Sequence, residues 1–327
     1  MHNKFWKNRK VLITGYEGFL GSNLTRKMLS YGAKVTGLDK KVFRKDTILT
    51  PEDYKKLKVI KADVSDYSRL NDIIDKNKPE AVFHLAAEAI VSICNRNPIQ
   101  TFRSNVEGTW NLLEICNRHK AYVKAVIIAS SDKAYGSHKQ LPYIEEAPLS
   151  GQYPYDVSKS CADLISYMYH NTYKLSVVVT RCGNIFGPGD FNFSRIVPDT
   201  IRCALSKKPF YIKSDGLFTR DYVYVDDIVD GYILMAEQLE VKHLSGNAFN
   251  LSYGDPISVL GLVKKIYKLS GRVPDIKVLN EVKYEIRHQY LSSRKARKIL
   301  GWKPQNSLAQ GLKKTIDWYK YYTRNAG

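Results

Sequence analysis

Residues 11–21 read VLITGYEGFLG, a short aliphatic run that breaks into three glycines, Gly15, Gly18 and Gly21, and then continues as an amphipathic stretch carrying Leu24, Met28 and Leu29. This strand, glycine turn and helix constrain the fold more than any other feature of the chain. Gly15 permits the tight turn, Gly18 lets backbone approach a pyrophosphate, and Gly21 lets the helix pack closely on the strand. Phe19 and Leu20 sit at the helix start, where unpaired N–H groups and the dipole favour phosphate. Asp39 ends the second strand, where a carboxylate holds both ribose hydroxyls of NAD and repels the 2′-phosphate of NADP. Lys40 and Lys41 stand beside it. Asp63, followed by Val64, ends the third strand within reach of an adenine, and Leu85, Ala86 and Ala87 end the fourth.

Strands are expected over 10–14, 34–38, 58–62, 81–85, 125–130 and 175–181, and helices over 21–31, 69–76, 106–119 and 156–173. This alternation predicts an α/β fold, a doubly wound parallel sheet of the Rossmann type with helices on both faces. After residue 183 the texture changes to loops punctuated by Gly and Pro. A smaller α/β C-terminal substrate domain over 183–327, interwoven with the cofactor domain over 1–182, accounts for it, with segments near 218–240 returning to the first.

With 327 residues, 44% of them apolar, the chain can bury a sizeable core and is not mainly disordered. No apolar run approaches the ~18 residues of a membrane span, and the basic start runs straight into a strand. The expectation is a cytoplasmic protein with no membrane partner. The five cysteines are an odd set, at least 21 positions apart, with no metal-ligand spacing. They read as reduced, mostly buried thiols, and no metal is expected. The net charge of +19 is dispersed in short groups without a nucleic-acid-binding signature. No nucleic acid is expected; the charge instead steers an anionic small substrate.

Tyr155-Asp-Val-Ser-Lys159 places a phenol and an ammonium at i and i+4, on one helix face. A phenol with a reference pKa of about 10 is a poor base, but the lysine and a positive nicotinamide stabilise its phenolate. Ser130-Ser131-Asp132-Lys133-Ala134-Tyr135-Gly136 follows a strand end, where ligands bind in doubly wound sheets. Ser131 is a hydrogen-bond donor beside Tyr155. Asp132 and Lys133 are the adjacent acid and base that an elimination of water requires. His84, at another strand end, reads as structural.

The Gly-x-x-Gly-x-x-Gly spacing, taken with Tyr-x-x-x-Lys, resembles the extended short-chain dehydrogenase/reductase family. The Ser-Asp-Lys run is similar to that of its CDP-glucose 4,6-dehydratase branch. So are PEAVFHLAA (79–87), NVEGTWNLL (105–113), GNIFGPGD (183–190), RIVPDTIR (195–202) and KARKILGWKP (295–304). Glu88 resembles the dTDP-glucose dehydratases instead, and RDYVYVD (220–226) is general to the extended family.

The resemblance implies an NAD-dependent nucleotide-sugar 4,6-dehydratase that recycles its cofactor. Tyr155 takes the O4 proton as the C4 hydride leaves, a neutral Lys133 takes the C5 proton, a protonated Asp132 protonates O6, and the hydride returns to C6. A 4-epimerase or 4-reductase of the same family is the alternative. The resemblance also implies Glu88, Asn184, Arg195, Arg220 and Arg287 as contacts to a nucleotide-diphosphate sugar, since guanidinium forks suit phosphate oxygens. It further implies a homodimer through a four-helix bundle built from helices 106–119 and 156–173.

Overall fold

The structure, a computed structural model, describes residues 2–239, 241–242, 244–281 and 286–325. The first 182 residues supply six strands: β1 (Lys10–Thr14), β2 (Lys34–Asp39), β3 (Lys58–Lys61), β4 (Ala81–His84), β5 (Ala125–Ala129) and β6 (Val177–Cys182). They run parallel in the order β6-β5-β4-β1-β2-β3, and the strand Ala248–Leu251 joins the β6 edge.

Side chains alternate between the two faces of each strand. Val11, Ile13, Ala81 and Phe83 enter one core; Leu12, Val82, Val126 and Ile128 enter the other. Leu24 and Met28 of helix Phe19–Ser30 cover the first core, together with Ile228, Tyr232 and Ala236 of helix Val225–Leu239. Leu70, Ile73 and Ile74 of helix Tyr67–Asn77 cover the second, with Leu112, Leu113 and Ile115 of helix Gly108–Arg118. Because both faces are buried, β5 reads AVIIA rather than alternating. Each fully buried Val, Leu, Ile, Phe or Met among these contributes roughly 1.5–3 kcal/mol.

Strand order diverges between β1 and β4, and a crevice opens at the carboxyl ends of the strands at such a point. Gly15 follows β1 and Leu85 follows β4, so the glycine turn borders that crevice.

Two elements depart from expectation. The helix expected over 106–119 is the end of a longer helical run that starts with Pro98–Phe102 and passes through a π-helical turn, Arg103–Glu107. Such turns are frequent at functional sites, and this one carries the buried Asn105. The strand Ala248–Leu251 is only four residues long, and the surrounding Gly and Pro mask its pattern.

Beyond residue 183, Asn184–Phe186 pairs with Tyr222–Tyr224, and Phe210–Ile212 with Ile276–Val278. Thr219–Arg220 lies between Ile257–Ser258 and His288–Gln289. Among the described residues no helix is long and apolar enough to cross a membrane. The five cysteines are free thiols, all but Cys161 buried.

Candidate active site

The glycine turn is shaped by close backbone approach. Gly15 has a φ of +72°, and a Cβ there would lie 2.8 Å from the Ala86 nitrogen. A Cβ on Gly21 would run into the Gly15 carbonyl oxygen. Gly18 caps the helix, and the amides of Phe19, Leu20 and Gly21 lie in its first turn, where N–H groups have no intrahelical acceptor. Across the crevice, the Leu85 amide donates to the Thr14 carbonyl at 3.1 Å and the Ala86 amide to Thr14 Oγ1 at 3.2 Å, and Ala87 follows. Asp39 closes β2, its Oδ1 accepting from the Lys41 amide at 3.3 Å, and burial pushes its carboxyl above the usual range. Asp63 Oδ1 accepts from the Ser65 amide at 3.0 Å and its hydroxyl at 2.9 Å, while Val64 packs on Gly108. A bare-glycine cradle with a carboxylate at the end of β2 fits a dinucleotide.

His84 is buried, with Nδ1 2.8 Å from Thr14 Oγ1 and Nε2 3.1 Å from Thr109 Oγ1. Burial pushes its pKa down to about 3, so it is a neutral tie between β1, β4 and helix Gly108–Arg118.

Helix Pro154–Tyr173 carries Tyr155 and Lys159. Lys159 Nζ donates to the Ala129 carbonyl at 2.7 Å and lies 5.9 Å from the centre of the Tyr155 ring. Burial lowers the Lys159 pKa to about 8. Burial also raises Tyr155, to about 12, against its hydrogen bond with Ser131 and the charge of Arg195. The expected lowering of the phenol by Lys159 is therefore reversed in the protein alone. Desolvation outweighs the partners present, and the positive charge that would favour phenolate belongs to an oxidised nicotinamide.

After β5, Ser131 caps a 3₁₀ turn, Asp132–Tyr135. Ser131 Oγ accepts from the Lys133 amide at 3.2 Å and donates to Asp132 Oδ1 at 3.0 Å. Asp132 is 3% exposed, its Oδ2 has no hydrogen-bond partner among the described residues, and burial raises its pKa. Lys133 Nζ donates to Gln289 Oε1 at 2.8 Å. The turn thus holds a hydroxyl, a buried acid and an amine next to Tyr155.

On the other side of the crevice, the charges of Arg195 and Arg220 reach Tyr155 and Asp132 respectively. Arg195 Nη1 donates to Asp190 Oδ2 at 3.3 Å, and Arg220 Nη1 donates to the carbonyls of Thr219 and Arg287. Asn184 donates its amide to the Asp221 carbonyl at 2.9 Å. Arg287 is exposed and paired with Asp215 Oδ2 at 2.9 Å, so the structure gives it a surface ion pair. The Glu88 amide donates to Asn105 Oδ1 at 2.7 Å, and Asn105 Nδ2 donates to Ser158 Oγ at 2.9 Å.

Residues 12–315 match the family model described as GDP-mannose 4,6 dehydratase. The chain belongs to that family. It is one of NAD-dependent nucleotide-sugar dehydratases and epimerases within the extended short-chain dehydrogenase/reductases. The chain is 32% identical over 326 residues to a UDP-glucuronate 4-epimerase of Thermodesulfobacterium geofontis, covering 94% of this chain and 95% of that one. It is 29% identical over 340 residues to a CDP-glucose 4,6-dehydratase of Salmonella typhimurium, covering 98% and 93%. A crystal structure of a dTDP-glucose 4,6-dehydratase from Bacillus anthracis in complex with NAD superposes with a TM-score of 0.86 at 27% identity, covering 97% and 98%.

Within this family member, Asn105 and Gln289 are site-adjacent residues that sequence reading missed. Asn105 opens the stretch NVEGTWNLL, which pointed to a family and not to a role for this residue, and Gln289 stands in no recognisable motif, 156 positions from Lys133. Glu17 was missed as well. It is fully buried in the glycine turn, accepting from the Tyr54 hydroxyl and, at 3.2 Å, from the Arg44 amide.

Proposed function

We propose that the chain is a nucleotide-sugar 4,6-dehydratase that converts a CDP-glucose-like NDP-hexose to the 4-keto-6-deoxy sugar. The observation that carries this reading is the turn Ser131-Asp132-Lys133, which adds a buried carboxyl with Oδ2 unbonded and an amine to the serine, tyrosine and lysine that a plain 4-epimerase needs. NAD, held by the glycine turn, Asp39, Asp63, Val64 and Leu85–Ala87, supplies hydride acceptance from C4 and hydride return to C6.

In this reading Tyr155 takes the O4 proton, aided by Ser131 and Lys159. The C4 ketone acidifies C5–H. Lys133 Nζ takes that proton, the freed electron pair forms the C5–C6 double bond, and O6 leaves as water with the proton of Asp132. As C6 is reduced, Lys133 returns its proton to C5; because the C4 ketone persists, Tyr155 gives its proton to solvent and Asp132 takes one back, which resets the site. The raised pKa of Asp132 keeps it protonated to higher pH, as a general acid requires. Glu88, Asn184, Arg195 and Arg220 contact the sugar diphosphate, with Arg287 at the rim. Asp39 selects NAD over NADP.

Residues 1–182 serve as the cofactor domain with segments near 218–240, and 183–327 mainly as the substrate domain of a cytoplasmic homodimer. A 4-epimerase is the second reading, favoured by the likeness to the UDP-glucuronate 4-epimerase. Incubation with CDP-, dTDP-, GDP- and UDP-glucose and UDP-N-acetylglucosamine, followed by mass spectrometry, separates them. Loss of one water from one sugar supports the dehydratase, whereas an epimer of unchanged mass rejects it.

A further inference from the structure

Gln289 is fully buried at the end of the two-residue strand His288–Gln289, far along the chain from the turn it touches. Both ends of its amide are used on consecutive residues of that turn. Oε1 accepts from Lys133 Nζ at 2.8 Å, and Nε2 donates to the Asp132 carbonyl at 3.1 Å. We infer that Gln289 is a positioning residue that holds Lys133 in place for proton removal at C5 without supplying the negative charge that would keep it an ammonium. The inference rests on the reading of Lys133 as the C5 base.

The chemistry of the amide carries the argument. A glutamine oxygen accepts a hydrogen bond from an amine in either protonation state. A neutral Lys133 that donates one hydrogen to Oε1 keeps its lone pair for the C5 proton. A carboxylate of the same size at 289 would favour the ammonium and disable the base. The charged groups facing Lys133 are Asp132 on its own turn and Asp156 on helix Pro154–Tyr173. From the third side, the strand presents the neutral amide; the neighbouring His288 ring is turned to Thr219 Oγ1 at 2.9 Å. The second bond, to the Asp132 carbonyl, pins the turn itself. The Arg287 carbonyl, two residues before Gln289, accepts from the Thr219 amide and from Arg220, whose charge reaches Asp132. The strand therefore ties the substrate side of the crevice to the turn that bears the acid and the base.

The test uses the full chain, CDP-glucose and dTDP-glucose as probes, and two variants, Gln289→Glu and Gln289→Ala. C4 oxidation is followed by nicotinamide absorbance in a single turnover, and C5 deprotonation by deuterium uptake from D2O. In Gln289→Glu, the pH at which C5 exchange reaches half its plateau should rise by about one unit or more. C4 oxidation should keep its wild-type rate. Gln289→Ala should slow C5 exchange about tenfold without that rise, as expected for lost positioning of a general base. A wild-type pH profile in Gln289→Glu overturns the assignment, as does an equal loss of both steps in both variants. Wild-type protein that oxidises C4 without exchanging C5 removes the Lys133 reading and the inference with it, and does so before any variant is made.

Discussion

Arg181 and Asp163 face each other through two parallel hydrogen bonds, Nε to Oδ2 at 2.9 Å and Nη2 to Oδ1 at 2.8 Å, with both side chains buried. Arg181 Nη1 also donates to the Tyr135 hydroxyl at 2.7 Å, and that hydroxyl donates to Asn250 Oδ1 at 2.8 Å. One guanidinium therefore joins β6, the helix of Tyr155 and Lys159, and the turn of Asp132 and Lys133. Removing one partner of a buried pair strands the other charge, at a cost of about 3–5 kcal/mol. Asp163→Ala should lower the urea-derived unfolding free energy by that amount. A change under ~1 kcal/mol would show that the pair is solvent-relaxed and the account wrong.

Tyr155→Phe deletes the proton acceptor for O4 and leaves its packing intact. Turnover should fall by ~10²–10⁴, the usual worth of a general base, with NAD affinity retained. Asp132→Asn should behave differently, oxidising C4 at the wild-type rate while water loss stops. Single-turnover absorbance and product mass read the two steps; unimpaired water loss in Asp132→Asn would remove its role as acid.

Gly21→Ala places a methyl group against the Gly15 carbonyl oxygen, so the turn must open. The expected result is weakened NAD binding in a fluorescence titration together with a lower melting temperature. Wild-type affinity in this variant would mean that the cradle is not where the pyrophosphate sits.

Asp221 is fully buried, and burial raises its pKa to about 6. Its folded value lies above the unfolded value of about 3.9, so its contribution to stability is complete below about pH 4 and is lost as pH rises through 6. Asp221→Asn stays neutral throughout. Relative to this variant, wild-type protein should lose about 2 kcal/mol of unfolding free energy between pH 4 and pH 7. Parallel pH profiles for the two proteins would contradict the shift.

Trp110 on helix Gly108–Arg118 and Leu164 and Tyr167 on helix Pro154–Tyr173 are 45%, 59% and 57% exposed. Large apolar side chains exposed on two neighbouring helices suit the proposed homodimer. Leu164→Glu should convert a dimer to a monomer in sedimentation velocity, without changing NAD affinity. A wild-type protein that sediments as a monomer ends the proposal.

The glycine turn, the strand alternation and the Tyr155–Lys159 pair were legible in the sequence because each is local. A turn needing a bare Cα, a short apolar run buried on both faces and a pair spaced by one helical turn all leave their mark within a few positions. The turn Ser131-Asp132-Lys133 was legible for the same reason. What brings Gln289 to Lys133, Arg181 to Asp163 and Asp221 into a buried site is contact between segments tens to hundreds of positions apart, and no periodicity records such pairs. The protonation states were equally out of reach. Motif spacing predicted a lowered Tyr155, but desolvation by the folded surroundings raises it, because the cost of burying a charge depends on everything packed around the group and not on its neighbours in the chain.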